Sequence, residues 1–315
     1  MNCIVTGAAG FIGSHVTRRL LKENNKVLGI DDFQDFYPKW IKEKNIALLL
    51  RQKNFEFIPE NINSLDLDSL IKNCDCIFHF AAQAGVRSSW GENFSIYIRN
   101  NIETTQKLLE SAKKNKLKRF IYASSSSVYG NCPDLPMKEN SPLHPHSPYG
   151  VTKLAAENLC TLYHRNFGVP AVSLRFFTVY GPGQRPDMAF HRFFTAASRG
   201  KKITVYGDGT QTRDFTYIDD IVEANFSALH SGKPGEIYNL GGGDNIILRD
   251  IFPVLEKICQ KKISIDHIEK QYGDVYHTFA DITKAEKDLG FFPQISLEEG
   301  LTEEWKWLQD IYGLV

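Results

Sequence analysis

The segment Gly7-Ala8-Ala9-Gly10-Phe11-Ile12-Gly13 constrains this chain more than any other. It joins an apolar run, Asn2–Thr6, to a helical pattern over residues 11–23. Glycine at these three places lets the backbone turn sharply, approach a pyrophosphate closely and pack the helix tightly on the strand. The amides at the helix start then face an anion. Glycine spacing alone is weak evidence, since glycines also serve plain packing. Here it falls between strand and helix, and Asp31 closes the next strand 18 residues after Gly13. A carboxylate there accepts from both ribose hydroxyls of an adenosine and repels a 2′-phosphate, which points to NAD rather than NADP.

The rest of the first half repeats the pattern. Apolar runs at 27–30, Phe55–Ile58, 76–80, 120–123 and Ala171–Phe176 alternate with helical stretches. The runs are nearly continuous rather than alternating, as suits strands buried on both faces. Strand and helix in strict alternation predict an α/β fold with a doubly wound parallel (Rossmann) sheet. After Gly181 the elements shorten and turn signals thicken, as in Gly207-Asp208-Gly209 and Gly241-Gly242-Gly243. This texture predicts a second, smaller mixed α/β domain. The expected division is 1–170 for the dinucleotide and 171–315 for the substrate, with roughly 214–240 returning to the sheet. A final amphipathic helix is expected over 297–308.

Composition excludes several classes. Lys plus Arg and Asp plus Glu stand at 37 each, so no net field attracts nucleic acid or an anionic membrane. The one dense basic run, Lys113, Lys114, Lys116, Lys118 and Arg119, falls where a helix ends, and cations there suit the helix dipole. No apolar stretch approaches the ~18 residues of a membrane span. A strand beginning almost at Met1 leaves no room for a leader, and a cytoplasmic location is expected. Cys3, Cys74, Cys76, Cys132, Cys160 and Cys259 lack the spacing of a disulfide framework or zinc site. His144 and His146 have no acidic or thiol partner nearby in the chain, and no metal is expected.

Tyr149-Gly150-Val151-Thr152-Lys153 puts a phenol and an ammonium one helical turn apart on one face. Ser147 is the expected helix cap and Pro148 the first helical residue. A phenol titrates near ~10, and an adjacent ammonium favours its anion. Tyr149 can then take a proton from a hydroxyl while hydride leaves for a nicotinamide. The pair opens a helix shortly after Ser124-Ser125-Ser126-Ser127, which follows a strand, where open parallel sheets gather ligands. Continued extension would aim Ser125 and Ser127 to one face. Ser125 is the expected partner of the reacting oxygen, with Ser127 also toward substrate.

These residues together resemble the extended short-chain dehydrogenase/reductase family over essentially the whole chain. The likeness rests on the segment from Thr6 to His15, on Phe80-Ala81-Ala82-Gln83-Ala84-Gly85-Val86-Arg87, on 124–130 and on the tyrosine–lysine pair. It rests also on Arg175-Phe176-Phe177-Thr178-Val179-Tyr180-Gly181-Pro182 and Arg213-Asp214-Phe215-Thr216-Tyr217. Stretches 84–90 and 175–190 are most similar to UDP-glucuronate 4-epimerases. The resemblance implies that NAD touches Gly7, Gly10, Phe11, Ile12, Gly13, Asp31, Asp32, Asn61, Ile62, Ala81, Ala82, Asn100, Tyr149 and Lys153. Asn61 replaces the Asp common in relatives beside adenine, and its amide oxygen can accept from the adenine amino group. For a UDP-sugar the resemblance implies Arg87, Ser125, Ser127, Tyr149, Thr178, Arg185, Met188, Val205, Tyr206, Arg213 and Asp274. In that scheme Tyr206 stacks on uracil, Arg213 pairs with the diphosphate and Asp274 accepts from the uridine ribose. Glucose epimerases carry Arg at the place of Gln271, leaving Arg87 as its substitute. A homodimer through the helices holding Asn100 and Tyr149 is implied as well.

Related dehydratases use an Asp-Glu pair at the places of Ser126 and Ser127, and decarboxylases a Glu at Ser127. Neither carboxylate is present. What remains is C4 epimerisation of UDP-glucuronate to UDP-galacturonate through a 4-keto sugar, NAD being regenerated each cycle. That intermediate is a β-keto acid, and Thr178 and Arg185 are expected to hold its carboxylate out of line for loss of carbon dioxide. UDP-glucose 4-epimerase and UDP-glucuronate decarboxylase are the alternatives, and a non-catalytic NAD or nucleotide-sugar sensor is a distant third.

Overall fold

Strands that are apolar at every position must be covered on both faces, and the order of the elements provides that cover. The computed structural model describes residues 1–269 and 271–314. In chain order the strands begin β1 (Asn2–Thr6), β2 (Lys26–Ile30), β3 (Phe55–Ile58), β4 (Cys76–His79), β5 (Arg119–Ser125) and β6 (Ala171–Phe176). Short strands follow: β7 (Thr178–Tyr180), β8 (Ile203–Tyr206), β9 (Thr212–Arg213) and β10 (Phe215–Tyr217). The last are β11 (Ile237–Leu240), β12 (Ile246–Ile247) and β13 (Ile265–Ile268).

Seven of them form one sheet in the order β11-β6-β5-β4-β1-β2-β3, parallel at every pairing. Side-chain alternation divides the core between its faces. On β5, Phe120 and Tyr122 join one apolar cluster while Ile121 and Ala123 join the other. The chain runs outward from β1 through β2 to β3, then crosses back to β4. The strand order therefore reverses between β1 and β4, and ligands bind beyond the carboxyl ends of the strands at such a reversal.

The boundary expected at 170 falls one strand early. β6 is interior to the sheet, between β5 and β11, with all six of its residues buried. Helix Ile218–Ser231 packs against the first helix, Phe11–Lys22, and leads back into β11 at the sheet edge. The remaining pieces pair as β7 with β10, β8 with β13 and β9 with β12. The last helix runs on to Tyr312, four residues beyond the expected end, and stops at Gly313 in the left-handed region. The basic run sits at the end of helix Thr104–Ala112, where Lys114 pairs with Asp68 at 2.6 Å and Lys118 with Asp75 at 3.0 Å.

One polar knot lies inside this apolar frame. Arg175 on β6 forks onto Glu157, Nε to Oε2 at 2.9 Å and Nη2 to Oε1 at 2.7 Å, with both side chains 1% exposed. Arg175 Nη1 donates to the Tyr129 hydroxyl at 2.7 Å and the Glu139 carbonyl at 3.0 Å. The Ser124 hydroxyl donates to Glu157 Oε2 at 2.6 Å. Removing one member strands the other charge away from water, so Glu157→Ala should lower the unfolding free energy by about 3–5 kcal/mol. A urea titration checks this, and Glu157→Leu with Arg175→Met together should restore most of the loss.

Candidate active site

The glycine turn is built to a spacing that only hydrogen permits. Gly7 has φ 72°, and a Cβ on it would lie 2.8 Å from the Ala81 nitrogen. A Cβ on Gly13 would lie 2.1 Å from the Gly7 carbonyl oxygen. Gly10 caps the helix Phe11–Lys22 in an extended conformation, so the first helical amides stay exposed to the cleft. Asp31, at the end of β2, fixes the same turn by accepting from the Ala9 amide at 3.1 Å and the Phe33 amide at 2.9 Å. Burial raises its pKa against the pull of Lys42, 3.8 Å away.

A continuous cleft follows from this turn across the carboxyl ends of the strands. Its walls hold every residue expected for the dinucleotide, from Gly7 through Asp31, Asn61, Ala81 and Asn100 to Tyr149 and Lys153. The lining fits such a cofactor: anion-facing amides at the turn, a carboxylate beyond it, and a phenol at the far end. Asn61 is held differently from its expected role. Its oxygen accepts from the Asn63 amide at 2.9 Å and its nitrogen donates to Asp32 at 2.7 Å. The Asn100 amide donates across the cleft to the Gln34 side chain at 2.9 Å, a contact that sequence reading missed.

Ser147 caps the helix Pro148–Phe167 through the Gly150 amide, and Pro148 takes its first turn. Tyr149 and Lys153 both enter the cleft wall, but their electrostatics depart from the simple pair. Burial raises the phenol's pKa, and the charge that chiefly opposes this is Arg185, not Lys153. The Ser125 hydroxyl also lowers it by hydrogen bonding. Lys153 donates instead to the Ala123 carbonyl at 2.8 Å and lies 5.1 Å over the Tyr122 ring. Burial lowers its pKa to about 8. β5 ends at Ser125, and Ser126–Val128 make a 3-10 turn whose Ser127 amide donates to the Ser125 hydroxyl at 3.1 Å. The alternation expected to aim Ser127 alongside Ser125 is broken there. Ser124 lines the cleft instead.

A second cleft adjoins the first, sharing Phe36 as a wall. It gathers Arg87, Thr178, Val205, Tyr206, Arg213 and Asp274, brought together from both ends of the chain. Met188 caps the next helix, Ala189–Ser198, and lines neither cleft. Arg87 lies 3.7 Å over the Tyr206 ring and pairs with Asp274 at 2.7 Å, so three expected nucleotide contacts clasp one another. Arg213 is half-buried and donates to the backbone carbonyls of Thr212 at 2.8 Å and Val275 at 2.8 Å. Arg185 is a wall of the first cleft, while Asp187, which it meets bidentately at 3.0 Å, is a wall of the second.

The turn that carries Arg185 is clamped from three sides. Glu304 Oε2, on the last helix, accepts from the Gly181 amide at 2.8 Å. His15 Nε2, on the glycine-turn helix, donates to the Pro182 carbonyl at 2.8 Å, and burial lowers its pKa to about 4. The Gln184 carbonyl meets His191 Nδ1 at 2.7 Å, and His191 Nε2 meets the Tyr312 hydroxyl at 3.0 Å. None of these clamps was foreseen. Glu304 left a trace in the sequence, a carboxylate between Leu301, Trp305 and Leu308 on the apolar stripe.

Comparison with known proteins agrees with this geometry. The description "NAD dependent epimerase/dehydratase family" matches residues 3–241. The Uncharacterized UDP-glucose epimerase YtcB of Bacillus subtilis is 47% identical, the match covering 99% of each chain. A UDP-glucuronate 4-epimerase of Thermodesulfobacterium geofontis is 41% identical over 99% of this chain and 97% of its own. The crystal structure of UDP-glucuronic acid 4-epimerase from Bacillus cereus, in complex with UDP-glucuronic acid and NAD, superposes with a TM-score of 0.97. It is 46% identical, the match covering 99% of this chain and 100% of that one. With a family match over most of its length and relatives this similar, the chain belongs to the NAD dependent epimerase/dehydratase family.

Proposed function

We propose that this protein inverts C4 of UDP-glucuronate to give UDP-galacturonate through a 4-keto sugar, keeping the carboxylate. One observation carries the reading. A half-buried phenol lines the dinucleotide cleft, which shares the Phe36 wall with the second cleft, and Ser126 and Ser127 stand where elimination or decarboxylation would want a carboxylate. The named activity of the similar proteins from Bacillus cereus and Thermodesulfobacterium geofontis supports the same substrate.

Bound NAD supplies the hydride acceptor and, later in the cycle, the donor. Gly7, Gly10, Phe11, Ile12 and Gly13 would hold its pyrophosphate, Asp31 its adenosine ribose, and Tyr149 and Lys153 its nicotinamide end. Tyr149 takes the proton of the C4 hydroxyl and returns it to the same oxygen after the keto-sugar has turned its other face to the nicotinamide end of the cleft. Arg185 favours the phenolate by its charge, and Ser125 by a hydrogen bond to the phenol. Lys153 stands one helical turn on in the same cleft wall, held by the Ala123 carbonyl. Tyr206, Arg213, Arg87 and Asp274 would take the UDP portion once their mutual clasp opens. Thr178 and Arg185 would hold the C5 carboxylate away from alignment with the C4 carbonyl.

The same reading puts the enzyme in the cytoplasm, as a homodimer. Val151, Leu162 and Phe167 support the second point, being 48%, 52% and 55% exposed along the helix that bears Tyr149.

Incubating the purified protein with UDP-glucuronate and no added NAD should give UDP-galacturonate without carbon dioxide. Turnover of UDP-glucose alone, or a pentose product, would replace this reading by one of its rivals. Tyr149→Phe should reduce kcat by about 10²–10⁴-fold while UDP affinity stays as it was; undiminished turnover would remove the phenol from the chemistry. Arg185→Ala should slow turnover or release carbon dioxide from UDP-glucuronate, and a variant with the parent's rate and product would dismiss the carboxylate grip.

A further inference from the structure

The Arg185–Asp187 fork stands where the two clefts meet. Arg185 Nε donates to Oδ1 and Nη2 to Oδ2, each at 3.0 Å, so that Asp187 occupies one forked edge of the guanidinium. Arg185 also lies 5.8 Å from the ring of Phe36, the wall common to both clefts. The two partners differ in their access to water. The side chain of Asp187 is 38% exposed and that of Arg185 is 23% exposed. Losing the fork would leave the carboxylate solvated and the guanidinium less so.

Inverting C4 requires the keto-sugar to turn over, and the carboxylate on C5 turns with it. Any grip on that carboxylate has to break during each cycle. A lone, largely enclosed guanidinium would resist the break, because its charge would be left without a partner. Asp187, two residues along the same turn, provides one. Resting on the proposed function, we infer that Asp187 is a positioning residue that exchanges with the substrate carboxylate on Arg185, so that the uronate is gripped and released within one turnover. A neutral hexose has nothing to exchange for Asp187, and the fork stays closed against it.

Asp187→Asn, assayed on protein carrying its own NAD, separates exchange from mere loop shape. KM for UDP-glucuronate should fall by about two- to fivefold, the factor expected from losing a half-exposed ion pair. kcat should fall at least as much, because the carboxylate is then held through the rotation. Inhibition by UDP, which has no carboxylate, should not change, and Asp187→Glu should bring both constants back toward the parent's. An unchanged KM and kcat, or a KM that rises together with the UDP inhibition constant, would overturn the exchange. If the parent protein does not turn over UDP-glucuronate at all, the functional reading falls and the exchange with it. Parent turnover with an indifferent Asp187→Asn removes the exchange alone.

Discussion

The Arg175–Glu157 fork is the interaction on which the site's geometry rests. Both charges are out of water, which is tolerable only because each finds several partners. Those partners lie on separate elements: the end of β5, the turn after it, the strand β6 and the helix Pro148–Phe167. The Ser124 hydroxyl reaches the same carboxylate, and Tyr129 passes the network on to Asn239 of β11 at 2.6 Å. Three neighbouring strands are thus fixed against one another at their carboxyl ends. There the Ala123 carbonyl receives Lys153 and the Ser125 hydroxyl meets the phenol.

The groups that set the titration of the Tyr149 phenol lie far apart in sequence. Burial alone would keep Tyr149 protonated. Arg185 works against burial from the turn after β7, and Ser125 from the end of β5. Lys153 is committed to the Ala123 carbonyl and to the Tyr122 ring rather than to the phenol. In the proposed reaction this division would tie proton transfer to the position of the turn that carries Arg185.

The sheet was legible because parallel strands buried on both faces write continuous apolar runs; Phe55–Ile58 and Ala171–Phe176 could be read to the residue. The glycine turn was legible because sterics leave no other residue at Gly13. The helix start at Ser147-Pro148 was legible from capping chemistry. What failed was long-range. The apolar runs do not give the order of the strands, and nothing in the serine run says that the extended backbone gives way at Ser126 to a 3-10 turn. The Arg185–Asp187 pair and the Gln34–Asn100 bridge depend on where loops land after folding. Periodicity carries no such information.

Glu304 lies on the closing helix, in no contact with either cleft, yet its carboxyl group holds the amide of Gly181. Burial raises its pKa well above the usual carboxylate value, and its Oε1 meets no hydrogen-bond partner among the described residues. The helix Leu297–Tyr312 is therefore a buckle for the segment that carries Arg185. Damage there would leave the dinucleotide seat intact while the sugar's handle drifts. Cofactor occupancy and turnover are then separable properties, and a preparation can look fully loaded yet be catalytically slack.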